Sequence, residues 1–136
     1  MTPDQAREFV AGSHRAVLIT HRSAGGLQTS PVLVGIDSDG KVVVSSRETA
    51  YKVRNLRRRP TATLCVFNDN FFGDWLQIDG TAEIVPLPGA MDGLVDYYRR
   101  ISGEHPDWDE YRRAMVDQRR VLIRLTIDTV GPTHAG

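Results

Sequence analysis

The sequence predicts a small, mainly β domain with accessory helices, its six strands wrapped as an antiparallel barrel. Three observations carry that expectation. Six runs of strand length, rich in β-branched residues, are separated by turn-forming residues. One run, Trp75 to Val85, keeps period two along its length. Leu76, Ile78, Gly80, Ala82 and Ile84 fall on one side, and Trp75, Gln77, Asp79, Thr81 and Glu83 on the other. The helical stretches are too few for crossovers between parallel strands, so the βα alternation of a doubly wound sheet is missing. Closure into a barrel would also remove the exposed edges that short strands leave. At 136 residues the chain reads as one domain, long enough to bury about two thirds of its unfolded surface.

Taken in order, Thr2-Pro3-Asp4-Gln5 opens a helix: Thr as N-cap, Pro at the first helical position, Gln closing a capping box. Ala6, Phe9 and Val10 give it an apolar stripe, and Gly12 ends it. Arg15 to Arg22 is the first strand, Ser23 to Gly26 a turn, and Gln28 to Asp37 the second strand. Pro31 has no N–H to donate, which places its part of that strand at an edge, a bulge or beside a ligand. Asp37-Ser38-Asp39-Gly40 turns the chain into a third strand, Lys41 to Ser46. A basic helix follows, then Thr61 to Asn68 as the fourth strand, a loop around Phe71, Phe72 and Gly73, and the fifth strand. Pro86 and Pro88 break the sheet. Met91, Leu94, Val95 and Tyr98 then follow helical spacing. After His105-Pro106, Asp107 with Glu110 caps another helix, with Trp108, Tyr111 and Met115 on its stripe. Arg120 to Asp128 is the sixth strand, and Thr129 to Gly136 is expected to fray.

Composition narrows the function classes. Acidic and basic residues balance at 17 each, which argues against a general nucleic-acid binder. The single Cys65 lies in a strand-like run, so no intrachain disulfide can form; a buried, inert thiol in a reducing cytoplasm is expected. No charged-then-apolar leader opens the sequence, and the apolar runs are short, so neither a signal peptide nor a membrane span is expected. The histidines (His14, His21, His105, His134) are scattered, and neither HExxH nor CxxC occurs; surface or hydrogen-bonded histidines are the preferred reading over a metal site. G-x-S-x-G, GxGxxG and GxxxxGK[ST] are also missing. No nucleophile or acid–base pair stands out.

What does stand out is Val42 to Pro60. A β-branched run ends in Ser45-Ser46, and Lys52, Arg54, Arg57, Arg58 and Arg59 follow without an acid among them. Ser45 with Glu48, or Thr49 itself, is expected to cap the helix, with Lys52 one turn in. Such a helix start favours phosphate, because orphan N–H donors and the positive dipole end both attract an anion. The plainer reading of Arg57 to Arg59 is a solvated helix end. Lys52, Arg54 and Asn55 read equally as a polar outer face on a helix anchored by Val53 and Leu56. Trp75 and Gln77 lie opposite the inner stripe of the fifth strand, so that face is expected to meet a partner or a flat ring.

Five segments now fall into one pattern: S-P-V at 30–32, S-S-R-E-T-A-Y-K-V-R-N-L-R-R-R-P at 45–60, W-L-Q-I-D-G-T-A at 75–82, H-P-D-W-D-E-Y-R at 105–112 and R-V-L-I-R-L at 120–125. In this order they resemble the pyridoxamine-phosphate-oxidase-like split β-barrel family, and in particular its small actinobacterial members that use the deazaflavin coenzyme F420. The resemblance implies a homodimer of six-stranded split barrels with two cofactor sites at the interface. Lys52 matches the family's phosphate-binding lysine, helped by Thr49, Arg54 and Asn55. Pro31, Val32, Ser45 and Ser46 match strand segments whose backbone lines the tricyclic ring. Trp75 and Gln77 match positions contributed across the dimer. One departure is Ala50, where members often carry a basic residue two places before the lysine.

The activity implied is hydride transfer from reduced F420 to a conjugated small-molecule acceptor such as an enone, quinone or tetrapyrrole. The cofactor then carries the chemistry, and a sequence without nucleophile or base is expected. The helices between Met91 and Tyr111 and the Phe71-Phe72 loop would shape the acceptor pocket. Three alternatives stand beside this. The same fold could use FMN as a flavin reductase or oxidase. It could be a non-catalytic cofactor- or haem-binding module, the haem case calling for an axial His or Tyr. A nucleic-acid-binding barrel would need aromatics interleaved with cations, and the basic helix offers only Tyr51.

Overall fold

The computed structural model describes residues 1–133. Four helices, α1 (Pro3–Gly12), α2 (Tyr51–Arg58), α3 (Met91–Ser102) and α4 (Trp108–Asp117), accompany seven strands. The strands are β1 (Arg15–His21), β2 (Leu27–Leu33), β3 (Gly35–Ile36), β4 (Val42–Arg47), β5 (Thr61–Phe67), β6 (Trp75–Pro86) and β7 (Arg120–Thr133). All pair antiparallel in one sheet of order β2-β1-β5-β6-β7-β4-β3. Seven strands stand where six were expected, because the run from Gln28 to Asp37 is divided at Val34. There His14 draws the backbone out of the ladder. The Val34 N–H donates to the His14 carbonyl, and the Val34 carbonyl accepts from His14 Nδ1, both at 2.8 Å. The division lets one chain segment serve both edges of the sheet. β2 pairs with β1 at one end and β3 with β4 at the other, so the sheet curls into a split barrel.

The N-terminal capping box forms as expected: Thr2 Oγ1 accepts from Gln5 N–H at 3.1 Å, and Gln5 Oε1 accepts from Thr2 N–H at 2.8 Å. The end of the chain differs from expectation. Residues 129–133 continue β7 and pair with β6 as far as Leu76 opposite Thr133. The long β6 would otherwise leave backbone donors and acceptors without partners; His134 to Gly136 lie outside the described residues. The β6–β7 ladder shifts register between Asp79 and Gly80. A Cβ at Gly80 would come within 2.3 Å of the Thr126 carbonyl oxygen, so only glycine permits this approach of two strands.

Burial divides into two cores. The barrel interior holds the alternate residues of the strands, including Leu18, Val44, Leu64, Leu76, Ile78, Ile123 and Leu125, with Val53 and Leu56 of α2 closing its mouth. The second core lies outside, where Leu94 and Val95 of α3 and Tyr111 and Met115 of α4 cover Val43 and Leu122. The two faces of β4 and β7 are therefore both used: one packs the barrel, the other carries helices. Among the described residues no helix is long and apolar enough to cross a membrane.

Candidate functional site

The site begins where β4 gives way to α2. Ser45, Ser46 and Arg47 remain in the ladder opposite Leu122, Val121 and Arg120. This corrects the expected cap. Held in the sheet, Ser45 cannot turn to the helix, and Thr49 lies one residue short of the N-cap, which is Ala50 with no side-chain bond. Ser46 faces the barrel and donates to the Arg47 carbonyl at 3.2 Å. Ser45 faces outward beside Tyr97, whose hydroxyl donates to the Leu33 carbonyl at 2.8 Å. That tyrosine links the end of β2 to β4. Pro31 and Val32 lie on β2, an end strand paired only with β1, so the edge placement expected for Pro31 holds.

On α2 the candidate residues separate. Lys52 is half-buried, and Thr49 and Arg54 are exposed. Arg54 lies over the Tyr51 ring at 5.8 Å. Asn55 is turned inward: its amide donates to Thr20 Oγ1 at 3.1 Å, and its carbonyl oxygen accepts from Arg58 at 3.1 Å. Its side chain thus fastens α2 to β1. Trp75 and Gln77 occupy the outer face of β6 opposite Phe67 and Cys65. Trp75, with Val17, Phe67, Phe71 and Phe72, borders a groove of about 650 Å³ in which Cys65 is half-buried rather than fully enclosed. Burial pushes the Cys65 thiol up, which keeps it protonated and unreactive.

Electrostatics mark the β4–β7–α2 corner. Burial, with the Arg120 charge second, holds Lys52 below the ordinary lysine range. Burial and then Arg47 lower Arg120. Among the described residues no carboxylate pairs with Arg47, Lys52 or Arg120. Tyr97 is raised by burial, and burial with neighbouring tyrosines pushes Tyr111 up to about 12. A bound anion would relieve the repulsion at Lys52 and give it a partner, so the donor set fits a phosphate-bearing cofactor. Arg47, Arg120 and Tyr97 were not singled out from the sequence. They are brought together by strand pairing and helix packing, which no local motif announces. Among the described residues no group of three or more His, Cys, Asp or Glu is placed to hold a metal ion.

A curled antiparallel sheet with a basic helix across its mouth and a second helical pair on one outer face is the split-barrel architecture. Residues 2–134 match the family model described as pyridoxamine 5'-phosphate oxidase, and the chain belongs to that family. Several solved structures share the fold. A conserved hypothetical protein from Mycobacterium tuberculosis is 22% identical with a TM-score of 0.77, over 96% of this chain and 82% of that one. An F420 reductase is 21% identical with a TM-score of 0.69, over 92% of this chain and 94% of that one. The haem storage protein HutZ from Vibrio cholerae is 17% identical with a TM-score of 0.70, over 96% and 93%. At these identities the likeness is one of fold.

Proposed function

We propose that this protein is a cytoplasmic oxidoreductase that binds coenzyme F420 at the β4–α2 junction and reduces a conjugated small-molecule acceptor such as an enone, quinone or tetrapyrrole. The observation that carries the reading is Lys52: a half-buried cation without a carboxylate partner, at the start of α2, in a chain of this family. The fold likeness to an F420 reductase supports the choice of deazaflavin. When bound, the reduced deazaflavin supplies the hydride. The chain's own residues bind and orient. Lys52 neutralises the phosphate, with Thr49 and Arg54 on the open side of the helix. The backbone of Pro31, Val32, Ser45 and Ser46 lines the ring. Asn55 acts indirectly, by fixing α2 against β1. The helices α3 and α4 and the Phe71-Phe72 loop shape the acceptor pocket.

The working unit in this reading is a homodimer. Leu33 is 48% exposed, Phe71 73% and Phe72 92%. Phe71 and Phe72 line the groove of Val17, Cys65, Phe67 and Trp75, and Leu33 lines a second recess that shares Val17 and Phe67 with it. Apolar area of this extent favours a partner. A second copy would bring Trp75 and Gln77 to the opposite subunit's cofactor, where Trp75 would cover the ring and exclude water. Trp75→Ala should then weaken both the dimer and cofactor binding, measured by sedimentation and titration; a monomer that binds cofactor normally would defeat the model. Lys52→Ala should lose about 1.5–3 kcal/mol of cofactor binding, the scale of one charge-assisted hydrogen bond. Unchanged affinity would move the phosphate elsewhere.

FMN in the same site is the second reading, since a lysine–phosphate contact does not separate the two rings. A haem reading draws on His105, which is packed among Tyr98, Trp108 and Tyr111 with ring centroids at 5.1, 5.7 and 5.5 Å. Its Nδ1 accepts the Asp107 N–H at 2.9 Å, which leaves Nε2 for a ligand. A haem titration that gives a sharp Soret band in the parent and loses it in His105→Ala would favour that reading over the deazaflavin.

A further inference from the structure

Arg47 and Arg120 stand directly opposite each other on the β4–β7 ladder. Residues paired in this way share a face with their Cβ atoms about 4.5–5.5 Å apart, and like charges there destabilise the sheet. Among the described residues no carboxylate pairs with either arginine. Glu48, next to Arg47, is held by Arg57 through two hydrogen bonds of 2.8 and 2.9 Å. Arg120 Nε donates to Gln118 Oε1 at 2.9 Å, a neutral partner that steadies the guanidinium without cancelling its charge. The turn that delivers Arg120 is itself strained. Arg119 adopts φ +53°, a left-handed conformation rare for a residue with a side chain. Its carbonyl accepts the Glu48 N–H at 2.9 Å, which ties that turn to the end of β4. A recess of about 440 Å³ opens beside Arg120, lined also by Arg57, Arg119, Pro86 and Leu87 and by Glu48, whose carboxylate is taken up by Arg57; Arg47 and Lys52 lie outside its lining.

A strained turn that brings two unpaired guanidinium groups together is costly to the free protein, and such costs concentrate where a ligand is held. We propose that Arg47 and Arg120, with Lys52 at their margin, form a site for the phosphate or carboxylate group of a small molecule. Two guanidinium groups side by side present planar N–H donors suited to the oxygens of such an anion. The group could belong to the cofactor or to the acceptor, and the site itself stands whether or not the deazaflavin reading does.

The probe is inorganic phosphate, titrated calorimetrically against the full chain without cofactor at fixed ionic strength. The parent should bind saturably and gain thermal stability as phosphate is added. Arg120→Gln and Arg47→Gln should each weaken binding about tenfold or more, the scale of a charge-assisted pair, yet melt no lower than the parent when phosphate is absent. Arg113→Gln, which removes the same charge from an exposed position on α4, should bind phosphate as the parent does. No saturable binding by the parent, unchanged binding in both variants, or an equal loss in Arg113→Gln would overturn the proposal. Titration of Arg120→Gln with F420 and with FMN then separates the sources. A parallel loss of affinity assigns the group to the cofactor; cofactor affinity kept while phosphate binding falls assigns it to the acceptor. Failure of both cofactors to bind the parent would count against the proposed function and leave the phosphate result standing.

Discussion

Arg120 and Arg124 lie on one face of one strand, yet their surroundings are opposite. Arg124 reaches three carboxylates: Asp37 at 3.0 Å, Asp39 at 2.7 Å and Glu83 at 2.8 Å. Burial lowers it, but these partners outweigh that and hold it above the ordinary arginine range. Arg120 has a neutral Gln118 and a second arginine across the ladder, and is held below that range. The first arginine joins the Asp37–Gly40 turn and β6 to β7, and is part of the fold. The second has no carboxylate among the described residues, and in the proposed anion site it is the group that a ligand would meet. A charge satisfied at home and a charge left open, on the same strand, separate structure from function more clearly than composition does.

The comparison can be broken at several points. Arg124→Ala should have the largest effect, about 2–3 kcal/mol of unfolding free energy, because it leaves a largely buried Asp37 carboxylate without its cation. Urea unfolding measures it, and a loss within experimental error would mean the triple contact is only superficial. The arginine pair should behave in the reverse sense. A double-mutant cycle on Arg47→Gln and Arg120→Gln without anions should show an unfavourable coupling of about 0.2–1 kcal/mol, relieved by either single change. A favourable coupling would show that the two guanidinium groups are compensated in the free protein.

The smallest effect is in pH dependence. Lys52 is held below its ordinary 10.5 by burial and then by Arg120, so between its folded value and 10.5 the unfolded chain binds more protons than the native one. Stability therefore rises with pH across that window: the penalty is present at neutral pH and gone above 10.5. Lys52→Met should flatten that part of the stability–pH curve, and an unaltered slope would place Lys52 in water.

Much of this molecule can be read from local pattern. The capping box at Thr2, the alternation of β6, the Asp107 cap of α4 and the apolar stripes of α3 all depend on neighbours in sequence, and all are found where expected. The misreadings share a cause in distant contacts. His14 divides the second strand at Val34; β6 recruits residues 129–133; the pairing of β4 with β7 keeps Ser45 from capping α2. Lys52 could be singled out because its helix start is local. Arg47 and Arg120 could not, since only the register of two strands far apart in sequence sets them face to face. Asn55 shows the opposite error, a polar residue on a basic helix that proves to be an internal fastener.

The most direct test of the proposed function is a side-by-side fluorescence titration of the purified protein and its Lys52→Ala variant with coenzyme F420 and with FMN. The account predicts micromolar or tighter binding of F420, weaker binding of FMN, and a clear loss of F420 affinity in the variant. Preference for FMN, or no binding to either, would contradict it.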